Sequence, residues 1–77
     1  MAAQLTIHYD KVGDILHIDK LAPYAEQESE ELDDEMIARL NPTTGEVENI
    51  EILFYSTRLM RGESLVLPLA AHLRLAI

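Results

Sequence analysis

The sequence predicts an α+β fold: a small antiparallel β-meander of about four strands followed by one or two short C-terminal helices. Apolar and polar residues alternate with period two in separate segments. Turn-forming Asp, Asn, Pro and Gly divide those segments. The chain closes on an apolar stretch with helical spacing. The expected organisation is a single domain over 1–77, with the sheet in 5–55 and a helical or extended tail in 56–77.

Leu5, Ile7 and Tyr9 alternate with Gln4, Thr6 and His8, the pattern of a half-buried strand. Asp10-Lys-Val-Gly13 has turn composition, and Leu16 and Ile18 then share one face of a second strand. The two read as a β-hairpin. Pairing Tyr9 with Asp14, Ile7 with Leu16 and Leu5 with Ile18 puts the apolar residues together.

Leu21 to Asp34 is interrupted by Pro23, and seven of the ten residues 26–35 are acidic. An edge strand tolerates such charge, but most of the segment reads as solvated loop. Met36–Leu40 is the third strand, and Asn41-Pro-Thr-Thr-Gly45 is a strong turn signal.

Glu46–Tyr55 is the fourth and longest strand. Val47 has odd parity, whereas Ile50, Ile52 and Phe54 have even parity. A bulge near Glu48–Asn49 restores them to one side, with Asn49 as a residue that tolerates left-handed backbone. Ser56 is a candidate cap for a helix over Thr57–Arg61 that Gly62 ends. Leu65-Val-Leu is extended, and Pro68 opens a last helix to about Ala76. The expected core is Leu5, Ile7, Leu16, Ile18, Ile37, Ile50, Ile52, Phe54, Leu69 and Leu73.

At 77 residues a single core is marginal, since a domain of about 60 residues buries only about 60% of its unfolded surface. There is no cysteine, so neither disulfides nor thiolate sites supply the difference. Small scaffolds without staples gain stability from a partner subunit, and a homodimer is expected. The net charge of −8 argues against nucleic acid and against anionic lipid. It is unevenly placed: Arg58, Arg61 and Arg74 against Glu63 leave residues 58–77 slightly basic, behind an acidic body. The start of the chain has no signal-peptide pattern, which makes the cytoplasm the default location. The apolar tail Leu65–Ile77, with its His72 and Arg74, is too short to span a membrane.

The stretch Ile7-His-Tyr9-Asp10-Lys-Val-Gly-Asp14-Ile-Leu16-His-Ile18 is similar to the opening of the family called domain of unknown function 2283. Gly45-Glu46-Val47-Glu-Asn49-Ile50-Glu51-Ile52-Leu53 followed by Ser56 resembles the second half of its signature, so the resemblance covers about 5–57. The family usually has an aromatic residue where this chain has His17, and Gly where it has Asn49. The resemblance implies a compact antiparallel sheet in a small prokaryotic protein. It implies no catalytic residues, and it points to a partner-binding, antitoxin-like role beside a small toxin-like protein.

Three groups of residues are candidates for chemistry. His8 and His17 fall on one sheet face as diagonal neighbours, with Cβ atoms about 7–8 Å apart. With Glu51 or Asp19 they are a candidate metal or small-molecule site; the alternative is two half-exposed histidines. Glu51, between Ile50 and Ile52, is a candidate base or partner contact, or simply a solvent-facing strand residue. If buried it needs a mate, and Arg58 or Arg61 across an interface is the natural one. The acidic run lacks the ligand spacing and central Gly of a calcium loop. Glu28, Glu30, Glu31, Asp33 and Asp34, with Glu51, form a candidate docking surface for a basic protein. No nucleophile elbow or phosphate-cradling loop is present, no cofactor is expected, and an enzyme is disfavoured. The favoured function is therefore a non-enzymatic protein-interaction module, with metal or small-molecule binding as the alternative.

Overall fold

The computed structural model describes residues 4–69. They form one antiparallel sheet and one short helix, in the order β1 (Thr6–Asp10), β2 (Ile15–Asp19), β3 (Glu28–Asp33), β4 (Met36–Leu40), β5 (Val47–Leu53) and α1 (Tyr55–Arg61). The sheet has five strands in the order β1-β2-β5-β4-β3. The expected antiparallel sheet followed by a short helix is present, with five strands where about four are expected and an order that is not a simple meander. The acidic segment expected to be mostly loop is the edge strand β3, and β5 is inserted between β2 and β4 rather than following at the end of the row.

The β1–β2 hairpin forms where the alternation places it, but two residues out of the expected register. Ile7 faces Ile18, His8 faces His17 and Tyr9 faces Leu16. The loop is set by Asp10, whose carboxylate accepts the Val12 and Gly13 amides at 3.0 and 3.2 Å. This Asx turn holds Lys11–Gly13 in the connection. Asp14 completes it with φ +56°. A slip of two residues preserves the faces of the strand, so parity alone does not detect it.

The bulge lies where the parity break in β5 requires it. Leu40 faces Val47 whereas Arg39 faces Asn49, so Glu48 is the extra residue. Val47 and Ile50 thereby share a face. Asn49 is not in the left-handed region, which among the described non-glycine residues holds only Asp14, Glu35 and Phe54. The Asn41–Gly45 turn is closed by the Asn41 carboxamide, which accepts the Thr43 and Thr44 amides, and by Gly45 at φ +75°.

Among the described residues, Met36, Ala38, Ile50 and Ile52 are the buried apolar ones. Leu16, Ile18, Leu32, Val47, Tyr55, Leu65, Leu67 and Leu69 pack around this cluster. The expected core is thus right at Ile50 and Ile52, while Leu16, Ile18 and Leu69 lie at its margin. It is wrong at Leu5, Ile7 and Phe54, which are exposed. Leu5 precedes the outermost strand and Ile7 lies on it, while β5 ends at Leu53 and Phe54 turns away at φ +52°. Ile37 shares a row with His17 and Glu51 on the opposite, more polar face. Leu73 lies outside the described residues.

Helix α1 buries none of its residues. Cover over the core face comes instead from the extended segment after it, in which Leu65, Leu67 and Leu69 pack inward and Val66 points out. Gly62, at φ +66°, ends α1 and donates to the carbonyls of Arg58 and Leu59. Pro68 and Leu69 are not helical; the remainder of the helix expected to follow them lies outside the described residues. No helix among the described residues is long and apolar enough to cross a membrane.

Candidate functional site

The polar face of the sheet carries both described histidines of the chain and Glu51. His8, His17, Glu51, Ile37 and Glu31 occupy one row across all five strands. His8 and His17 are directly opposite each other, not diagonal, and their rings stack at 4.6 Å with planes 7° apart. Stacked imidazoles carry their nitrogens in parallel planes instead of aiming them at one point. His8 Nε2 is instead 3.2 Å from Asp19 Oδ2. Among the described residues, no group of three or more His, Asp or Glu is placed to hold a metal ion.

Glu51 is mostly buried and has a mate within its own chain. Arg39 Nε donates to Glu51 Oε1 at 2.6 Å, and Arg39 also reaches the Ser29 hydroxyl at 3.4 Å. The pairing with Arg58 or Arg61 across an interface is thereby replaced by Arg39, two strand positions from Ile37 on the neighbouring strand. Arg39 stands at an alternation-matched position of β4, but only the β4–β5 pairing brings it to Glu51.

The bulge residue Glu48 and its neighbour Asn49 are both buried. The loop between β2 and β3 folds over them. Glu48 Oε1 accepts from the Tyr24 hydroxyl at 2.6 Å and from Gln27 Nε2 at 3.1 Å, and Oε2 accepts from Asn41 Nδ2 at 3.3 Å. The Tyr24 hydrogen bond, followed by that of Gln27, holds the Glu48 carboxyl below its ordinary range. The same hydrogen bond pushes the Tyr24 phenol up to about 12. Asn49 Nδ2 donates to Asp19 Oδ1 and to the Leu21 carbonyl, and its Oδ1 accepts from Gln27 at 2.7 Å. Both carboxylate oxygens of Glu48 and the whole Asn49 carboxamide are engaged by these hydrogen bonds, which clasp the long loop to the sheet.

A second clasp joins the hairpin to the helix. The Asp14 carboxylate accepts from the Tyr9 hydroxyl at 2.5 Å, the Ser56 amide at 2.9 Å and the Ser56 hydroxyl at 2.7 Å. Its backbone carbonyl accepts the Tyr55 amide at 3.1 Å. Asp14 therefore caps α1 from another element, and Ser56, the expected cap, is a donor in the first turn instead. Tyr9, Asp14 and Ser56 are the motif residues of the two halves of the sequence signature, here in mutual contact. The Tyr9 hydrogen bond, with those of Ser56, lowers the Asp14 pKa, and the Asp14 hydrogen bond raises that of Tyr9.

A carboxylate with a lowered pKa stabilises the fold above its unfolded value of 3.8, and that stabilisation is lost as pH falls through the folded value. Asp14→Asn keeps a residue that accepts left-handed backbone but removes the charge. Its thermal midpoint is expected to lie below that of the parent at pH 7, with the gap narrowing as the pH falls below 3.8. Thermal melts of both proteins across this range check it; a gap that stays constant into acid would refute the assignment.

Glu28, Glu30, Glu31 and Asp33 lie along β3, with Asp34 in the turn that follows. Strand alternation directs Glu28 and Glu30 to one face and Glu31 to the other. Glu51, in β5 and held by Arg39, is separated from this group. Beside the edge is an open groove of about 410 Å³ lined by Ser29, Glu30, Glu31, Glu35, Ile37 and Leu53. Arg58 supports the turn from behind: its guanidinium donates to the Asp34 carbonyl and lies 3.8 Å from Glu35.

The family model described as Protein of unknown function (DUF2283) matches residues 6–56, from the first residue of β1 to the Ser56 contact with Asp14. No curated protein and no solved structure matches the chain.

Proposed function

The chain belongs to the DUF2283 family of proteins of unknown function, and from that premise we propose that it is a non-enzymatic interaction module whose acidic edge strand docks a basic partner protein. The observation that carries this reading is β3. It is an edge strand, so one side of its backbone is unpaired within the sheet. It presents carboxylates on both faces and runs beside an apolar-floored groove formed by Ile37 and Leu53. An added strand or loop rich in Lys and Arg finds backbone hydrogen bonds, charge complementarity and an apolar seat in one place. The polar face carries the reading no further, because Glu51 and Asp19 already have partners in the chain.

The test is affinity capture from the native cell with the parent and with a Glu28→Gln, Glu30→Gln, Glu31→Gln, Asp33→Asn variant. A protein of net positive charge is expected on the parent, with binding to the variant weakened at least about tenfold and a steep salt dependence in the parent. Equal capture by both, or no basic protein on either, would remove the proposal.

A further inference from the structure

The two edges of the sheet differ in kind. β3 is lined with acids and irregular between Glu31 and Asp33, which sets it against pairing with a second, equally acidic copy of itself. β1 has no such irregularity, and its one acid, Asp10, ends the strand with its carboxylate held by the turn amides of Val12 and Gly13. From Gln4 to Tyr9 there is no Lys, Pro, Asp or Glu, and among the described residues nothing pairs with the outer side of β1. Leu5, Ile7 and Tyr9 extend the apolar face of the sheet and are 58%, 64% and 41% exposed.

We infer that β1 is the interface between two copies of this chain, paired antiparallel across a two-fold axis at Ile7. The occupant follows from the sequence of the strand. A two-fold axis through the sheet pairs residues of the same parity, so each face continues across the seam. With Ile7 on the axis, Leu5 of each copy faces Tyr9 of the other, Thr6 faces His8 and Gln4 faces Asp10. Apolar meets apolar, polar meets polar, and no two acids are opposed. This register uses all seven residues from Gln4 to Asp10.

The same construction on β3 fails in each register centred within the strand. It sets Glu28 against Glu30, Glu30 or Glu31 against itself, or Glu31 against Asp33. His8 does not obstruct the seam, being held back on its own sheet by His17 and Asp19. A core with only four fully buried apolar residues among those described also gains from a continued apolar face. This interface lies on the edge opposite the acidic one and does not depend on the basic-partner reading.

The chain has no cysteine, so a single introduced one reports proximity cleanly. Residues facing across an antiparallel pair have Cα atoms about 4.5–5.5 Å apart, within the span a disulfide bridges. Ile7→Cys is expected to form a covalent dimer under mild oxidation, and Val12→Cys, in the exposed turn, and Ser29→Cys, on β3, only slowly. Sedimentation equilibrium is expected to give the parent twice its 8.7 kDa chain mass. Ile7→Lys is expected to weaken the dimer about 100-fold with its far-UV circular dichroism retained; if that spectrum is lost, the cysteine comparison decides alone. A parent that sediments as a monomer up to about 100 μM, well above the micromolar affinities of ordinary interfaces, would overturn the inference. So would an Ile7→Cys protein that crosslinks no faster than Val12→Cys.

Discussion

Ile52→Ala is expected to lower the unfolding free energy by about 4 kcal/mol. Ile52 is 0% exposed. It sits at the middle of the sheet, opposite Leu16 on β2 and Met36 on β4. Its neighbours are fixed by backbone pairing on both sides, so the site has little freedom to collapse into the space a shortened side chain leaves. Small domains have only about 5–15 kcal/mol in total, and this core is at the lean end. The variant is therefore expected to be partly unfolded near 37 °C. Urea titration monitored by circular dichroism checks it: the midpoint falls while the slope is unchanged. A loss under about 1 kcal/mol, typical of a surface substitution, would show that Ile52 is not at the centre of the core.

Asn49→Gly is expected to cost about 3 kcal/mol, although glycine is what the sequence resemblance implies at this position. The backbone does not need glycine, because Asn49 is outside the left-handed region. Its carboxamide joins Asp19, the Leu21 carbonyl and Gln27. Removing it leaves buried donors and acceptors without partners and adds the flexibility of glycine in a strand. The loop between β2 and β3 is expected to loosen with it, seen as faster amide exchange around Tyr24–Gln27. An Asn49→Gly protein within about 0.5 kcal/mol of the parent would refute this account of the hub.

These two positions mark what the sequence made legible. Alternation identifies β1, β2, β4 and β5, because in each the apolar residues share one face; in β2, β4 and β5 that face lies against the core, while in β1 it is exposed. The parity break between Val47 and Ile50 locates the bulge, since a two-residue repeat has no other way to keep both on one side. Alternation does not reveal β3: its pairing with β4 is a backbone matter, and acids on an edge are solvated whether or not the strand forms. Nor does it give the absolute hairpin register, which the Asp10 and Asp14 turn chemistry sets. Phe54 continues the even parity of Ile50 and Ile52, yet the strand stops one residue earlier.

The candidate site was legible to a smaller extent. The acidic residues of β3 do share one edge, and His8 and His17 do share one face. Arg39 with Glu51, and Asn49 with Gln27, were not legible. Each pair forms only because β5 lies between β2 and β4, and the linear order of the strands does not announce that placement.

The insertion of β5 also fixes when the protein can become a protein. No strand pairing joins the β1–β2 hairpin to the β3–β4 hairpin except through β5, and isolated hairpins are marginal in water. A nascent chain that has emerged only as far as the Asn41–Gly45 turn holds two ribbons with nothing between them. The residues that arrive next, Val47 to Leu53, are the ones that pair with both. Among the described strands β5 is the last to be made, and an N-terminal piece that ends before it holds two hairpins with no strand to join them.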